Sequence, residues 1–169
     1  NIKIIDTAPS YGTAEKIIGR LNNLRFQVIT KTPKLKTNGD HLEILSELDL
    51  SISKSIANLS ENNILCVLFH DPTLLKGELG KIIWNRVNEY KESGKIKKIG
   101  ISIYDEWELE NVLSNFKPEI VQLPFNVFDQ RFMANGAIKE LYQNNIQVHV
   151  RSIFLQGLLL LDENNLPNY

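Results

Sequence analysis

Several polar side chains stand at or just beyond the ends of apolar runs in this sequence. Asp6 and Tyr11 follow residues 2–5, Lys31 follows 26–30, His70 follows 64–69, Ser102 lies in 99–103 and Gln122 in 120–123. An acid, a phenol, an amine and an imidazole brought together form a set for moving a proton. A free phenol, with a pKa near ~10, is a poor acid at neutral pH. An ammonium about 4 Å away favours the phenolate by up to ~4 kcal/mol at an effective dielectric of ~20. Tyr11 and Lys31 are the candidates for that pair. A cation held in a cleft needs a counterion, and Asp6 is the candidate. His70 can donate to a reacting oxygen and fix its angle. Each residue alone has an ordinary reading: Asp6 and Lys31 as an ion pair, His70 before Asp71-Pro72 as a turn residue, Tyr11-Gly12 as a loop dipeptide. The weight lies in their recurrence at the ends of three successive runs.

The runs that must position these groups, at 2–5, 26–30, 64–69, 99–103, 120–123 and 146–150, are nearly continuous rather than alternating, as parallel strands covered on both faces are. Helical patterns separate them. Leu42, Leu45, Leu48, Ile52, Ile56 and Leu59 step by three and four, as do Leu109, Val112, Leu113 and Phe116. Asp105 with Glu108 reads as a capping box, and Gly94 as the stop of a helix over 82–91. Strand and helix therefore alternate through six strands, which fits either an open doubly wound sheet or a (β/α)₈ barrel. The glycine fingerprint that opens a dinucleotide-binding sheet is absent, since Gly12 and Gly19 stand far apart in "YGTAEKIIG". In a closed barrel all the strand ends, and so the polar residues above, converge on one face.

Composition narrows the partners. With 19 Lys+Arg against 20 Asp+Glu and a net charge of −1, nothing draws the 169-residue chain to nucleic acid or an anionic membrane, and a small neutral or anionic ligand is the expected partner. No stretch approaches the ~20 apolar residues of a membrane span, and no leader pattern opens the sequence. The single cysteine, Cys66, reads as a buried strand residue and favours a reducing, cytoplasmic setting. His41 and His149 lack partners at ligand spacing, so no metal is expected. Lys91, Lys95, Lys97 and Lys98 follow a helix end and read as a solvated loop.

The segments "DTAPSYGTAE", "ITKTP", "LFHDP", "KIKKIGIS" and "VQLPFNVFDQR", in that order, resemble the second- to sixth-strand signatures of the aldo-keto reductases. The resemblance implies an α/β fold, a (β/α)₈ TIM barrel, with Asp6, Tyr11, Lys31 and His70 as the catalytic tetrad. It further implies reduction of an aldehyde or ketone by hydride transfer from NADPH, NADH being possible, with Tyr11 as general acid. Ser102 and Gln122 match positions that bind the nicotinamide carboxamide. Ile103 stands where the family often has Asn, which removes one such contact. "VHVRSIFLQG" puts Arg151 near the site of a stacking aromatic, and Ser152 beside it joins the cofactor-binding set. A guanidinium can stack too.

In that family "DTA" belongs to the second strand, so a first strand and helix are expected before Asn1, and an eighth strand with the adenosine-phosphate segment after Tyr169. Residues 1–169 are then a single barrel domain truncated at both ends. Its two unpaired apolar edges would leave the isolated chain poorly stable and inactive. Two other readings stay open: a regulatory, catalytically silent binding protein, as some potassium-channel subunits resembling this family are, and a non-functional remnant. The carbonyl substrate and the oligomeric state are not readable. "VHVRSIFLQGLL" is similar to bacterial members associated with sugar or surface-polysaccharide metabolism.

Overall fold

The computed structural model describes residues 2–22, 26–35, 39–59 and 64–162. Strands β1 (Ile4–Asp6), β2 (Gln27–Lys31), β3 (Ile64–Phe69), β4 (Lys98–Ser102), β5 (Ile120–Pro124) and β6 (Gln147–Arg151) alternate with helices. These are α1 (Ala14–Asn22), α2 (His41–Leu59), α3 (Gly77–Glu92), α4 (Glu106–Leu113), and the short α5 (Arg131–Ala134) and α6 (Ala137–Gln143). All six strands are parallel and pair in sequence order, so each crossover returns to the next position in one sheet.

That sheet is curled. β1 and β5 are four strand spacings apart, ~19 Å in a flat sheet. Yet the Gln122 amide Nε2 lies 2.8 Å from Asp6 Oδ2. Two short side chains bridge that gap only if the sheet bends toward closure, which favours the barrel over the open sheet of the two architectures considered above.

The two faces carry different cores. The convex face is covered by helices over a large cluster that includes Val67, Phe69, Ile83, Val87, Ile101 and Leu123. The concave face holds Ile29, Cys66, Leu68 and Ile120 of a smaller cluster. Gly100 keeps that interior closed: a Cβ there would lie 2.3 Å from the Ile120 carbonyl oxygen and 2.6 Å from Leu68 Cδ2. Because side chains alternate across a strand, Asp6, Lys31, Ser102 and Gln122 share the concave face with these residues, one step nearer the C-terminal ends.

Local signals held where the chemistry is local. Gly94 (φ +77) ends α3 as expected: its N–H bonds the Lys91 carbonyl at 2.9 Å and the Lys95 N–H bonds Tyr90 at 3.0 Å, a Schellman closure. The Asp105 N–H donates to Glu108 Oε2 at 3.1 Å, the reciprocal half of the expected capping box. The apolar stripe on α2 needs one correction. Its buried row is Ile44, Leu48, Ile52, Ser55 and Leu59, and Leu42 is exposed. Two residues before Ile44, Leu42 lies about 200° around the helix at ~100° per residue and points to solvent.

Candidate active site

Lys31, the last residue of β2, is 3% exposed. A lone ammonium at that depth would be costly to desolvate. Its Nζ donates to Asp6 Oδ1 at 2.6 Å and to the Thr7 carbonyl at 2.9 Å, so the charge is paired and held. The other Asp6 oxygen accepts from Gln122 Nε2, and Gln122 Oε1 in turn accepts from the Ser102 hydroxyl at 3.2 Å. The result is a continuous chain, Lys31–Asp6–Gln122–Ser102, across the concave face. The ends of four strands are locked to one another by it.

Tyr11 sits at the rim of this chain, half-exposed, in the turn between β1 and α1. That turn is closed by Tyr11 N–H to the Ala8 carbonyl (3.0 Å) and Ala14 N–H to the Tyr11 carbonyl (3.1 Å). The Lys31 ammonium lies 5.2 Å from the centre of the phenol ring. His70 follows β3 and is anchored through its backbone: its N–H donates to Thr32 Oγ1 at 3.1 Å, while the Thr32 N–H bonds Leu68. Burial first, then the charges of Lys31, Lys34 and Arg151, hold the His70 imidazole below its ordinary pKa, with Asp6 opposing. At neutral pH the ring is therefore uncharged, with one nitrogen donating and the other accepting.

Arg151 ends β6 and lies half-buried, its guanidinium 3.8 Å from the centre of the Tyr104 ring and its Nη2 donating to the Ile103 carbonyl at 3.0 Å. One face of the guanidinium is thus already covered by the protein's own aromatic. Ser152, just beyond, is exposed with φ +60. Ile103 is fully buried in the helix-side core, so the position where an Asn was missed offers no polar side chain.

The donors at the ends of β4 and β5 fit a planar carboxamide such as that of nicotinamide. Ser102 Oγ spends its hydrogen on Gln122 and keeps lone pairs to accept an amide N–H. Gln122 Nε2 gives one hydrogen to Asp6 and keeps a second to donate to a carbonyl. Ser102 and Gln122 would therefore hold that end of the cofactor.

Three contributors escaped the sequence reading. Thr7 supplies a carbonyl to Lys31, Thr32 ties down His70, and Tyr104 carries Arg151. Thr7 and Thr32 lie inside the quoted motifs, and two-residue alternation beyond Ser102 would have flagged Tyr104. Outside the site, two of the lysines expected in a solvated loop lie in elements and are paired: Lys91, in the last turn of α3, binds Glu119 at 2.6 Å, and Lys98, which opens β4, binds Gln147 at 2.9 Å. Cys66 is buried, which pushes its thiol pKa up. Among the described residues no helix is long and apolar enough to cross a membrane.

Comparison with known proteins bears on the family and the fold. The model of the aldo/keto reductase family matches residues 1–168. The chain is 25% identical over 155 residues to the NADPH-dependent alpha-keto amide reductase of Saccharomyces cerevisiae, covering 89% of this chain and 47% of that protein. It is 26% identical over 171 residues to the aldo-keto reductase YhdN of Bacillus subtilis, covering 94% and 50%. The holo structure of the aldo-keto reductase AKR11C1 from Bacillus halodurans superposes with a TM-score of 0.76 at 19% identity, over 99% of this chain and 57% of that one. The chain spans about half the length of the curated relatives it matches.

Proposed function

The chain belongs to the aldo/keto reductase family, and we propose that it serves in an NADP(H)-dependent reductase that converts an aldehyde or ketone to an alcohol, with Tyr11 as the proton donor. The observation that carries this reading is the buried Lys31 ammonium, paired with Asp6 and standing against the Tyr11 ring. Hydride arriving at a carbonyl carbon leaves an oxyanion that must be protonated. Tyr11 gives its proton to that oxygen, and the nearby ammonium stabilises the phenolate left behind. Asp6 keeps Lys31 charged and in place while remaining hydrogen-bonded to Gln122. His70, uncharged, donates one N–H to the substrate oxygen and orients the carbonyl without competing to protonate it. When bound, a nicotinamide dinucleotide would supply the hydride. Ser102 and Gln122 would hold its carboxamide, and Arg151 and Ser152 would line the approach at the end of β6. NADPH is favoured because the yeast relative is named for it.

The six curled strands are read as part of an eight-stranded barrel, with further strands beside β1 and β6. On this reading residues 1–169 alone bind NADPH weakly; an affinity close to that of complete family members would contradict it.

The decisive experiment is Tyr11→Phe in the natural polypeptide that carries these 169 residues. Carbonyl-dependent NADPH oxidation should fall by about three orders of magnitude or more, on the scale of losing a positioned acid, with cofactor binding retained. A variant that keeps its rate overturns the acid assignment. An unaltered protein that binds NADPH and turns over no carbonyl supports the regulatory reading instead.

A further inference from the structure

We propose that Glu15 is a positioning residue: by gripping Thr30 it sets the distance between the Tyr11 phenol and the Lys31 ammonium. The proposal deepens the reductase reading and rests on it for the effect on rate.

The bonds to Asp6 and the Thr7 carbonyl fix Lys31 but do nothing for the phenol. Tyr11 is half-exposed, and its hydroxyl has no hydrogen-bond partner among the described residues. A reacting group misplaced by 1 Å can cost about a hundredfold in rate, so its turn must be held against β2. That turn runs without a break into α1, where the Ala14 N–H bonds the Tyr11 carbonyl and the Ile17 N–H bonds the Thr13 carbonyl, both at 3.1 Å. Glu15 lies in the first turn of α1 and is 5% exposed. Its Oε1 accepts from the Thr30 hydroxyl at 2.7 Å and its Oε2 from Asn58 Nδ2 at 3.3 Å. Thr30 is buried and immediately precedes Lys31 in β2. Two short stretches of backbone and one buried hydrogen bond thus join the phenol to the ammonium.

Gly19 supports the same helix one turn on. It shares a face with Glu15, four residues away, and a Cβ there would lie 1.7 Å from the Asn58 carbonyl oxygen. That contact with the end of α2 acts as a pivot. The Glu15–Thr30 bond then sets how the first turn of α1, with Tyr11 before it, sits over β2. The choice of side chain points the same way, because Glu15 has no ion-pair partner among the described residues. Burying a carboxylate among neutral donors is costly, and a leucine would fill the space at lower cost. A leucine cannot supply a short, directional bond to a chosen strand residue.

The test compares variants of the natural polypeptide that carries these residues. Glu15→Leu combined with Thr30→Val removes the link and leaves neither a buried acid nor a buried hydroxyl unpaired, a combination close to neutral for stability. Asn58 is half-buried and can turn to water. The double variant should keep its unfolding midpoint and lose at least tenfold in kcat, with KM for NADPH and for the carbonyl within twofold of wild type. Thr30→Ser, which keeps the hydroxyl, should retain wild-type kcat. By NMR, a nuclear Overhauser contact between the Tyr11 ring protons and the Lys31 side chain should be present in wild type and Thr30→Ser and lost in the double variant.

A double variant with wild-type kcat, or one that folds and keeps the Overhauser contact, overturns the proposal. So does a fall in kcat that Thr30→Ser shares. If the double variant does not fold, Thr30→Val alone is read in the same way, and failure of both to fold would make the link part of the fold alone and overturn the proposal. The Overhauser contact needs no turnover. Its loss in the double variant of a protein that reduces no carbonyl would leave the link standing and remove the reductase reading.

Discussion

The middle of the sheet and its two margins are made from similar apolar residues and are buried very differently. Every residue of β3 and β5 is buried, as is nearly all of β2 and β4. In β6 nothing is fully buried, with Val150 41% exposed, and in β1 Ile4 is 38% exposed. The candidate site straddles this divide. Lys31, Ser102 and Gln122 stand on the rigid middle, while Asp6 and Arg151 stand on the margins. The middle thus supplies fixed anchors, and the margins supply partners whose positions depend on what lies beside them.

Four measurements bear on that contrast. Phe69, fully buried between the sheet and Trp84, should cost about 3–5 kcal/mol when changed to Ala, read as a fall in unfolding midpoint. A loss below about 1 kcal/mol would mean the middle is less solid than its burial implies. Lys31→Met should cost about 1–3 kcal/mol, less than a fully buried pair because the Asp6 side chain is 40% exposed and can turn to water. A loss as large as that of Phe69→Ala would place Asp6 in the rigid middle after all.

The third measurement is a pH series. His70 beside the middle and His149 on β6 both have pKa values lowered, first by burial. The unfolded chain then binds protons more readily than the folded one. Stability should be fully present above the ordinary histidine value of 6.5 and decline as pH falls through the lowered values. Replacing both with Gln should flatten that decline, and a slope that persists would assign it to carboxylates. Val150→Thr on β6 should have the smallest effect, within about 0.5 kcal/mol. A much larger loss in the natural polypeptide would show that another segment covers β6.

The strand positions, the alternation with helices and the Asp6–Lys31 pair were legible because each rests on local pattern: continuous β-branched runs, turn residues and opposite charges at strand ends. The curl of the sheet was inferred by resemblance and became physical only with the Gln122–Asp6 contact, which joins residues 116 apart in sequence. No periodicity argument reaches that far. The Arg151–Tyr104 stack was hidden for the same reason, since it joins two strand ends that are not neighbours. Leu42 misled because any leucine at a spacing of three or four fits a stripe until the sheet says which side of α2 it meets.

The central claim is that the concave face carries a proton donor for hydride reduction of a carbonyl. It is tested most directly by incubating the natural polypeptide with an aldehyde and NADPH deuterated at the transferring carbon, and locating the label in the alcohol by mass spectrometry. One deuterium on the former carbonyl carbon with wild type, and none above background with Tyr11→Phe, is the predicted result. Label transfer that Tyr11→Phe leaves intact, or no transfer from a folded protein that binds the cofactor, would contradict it.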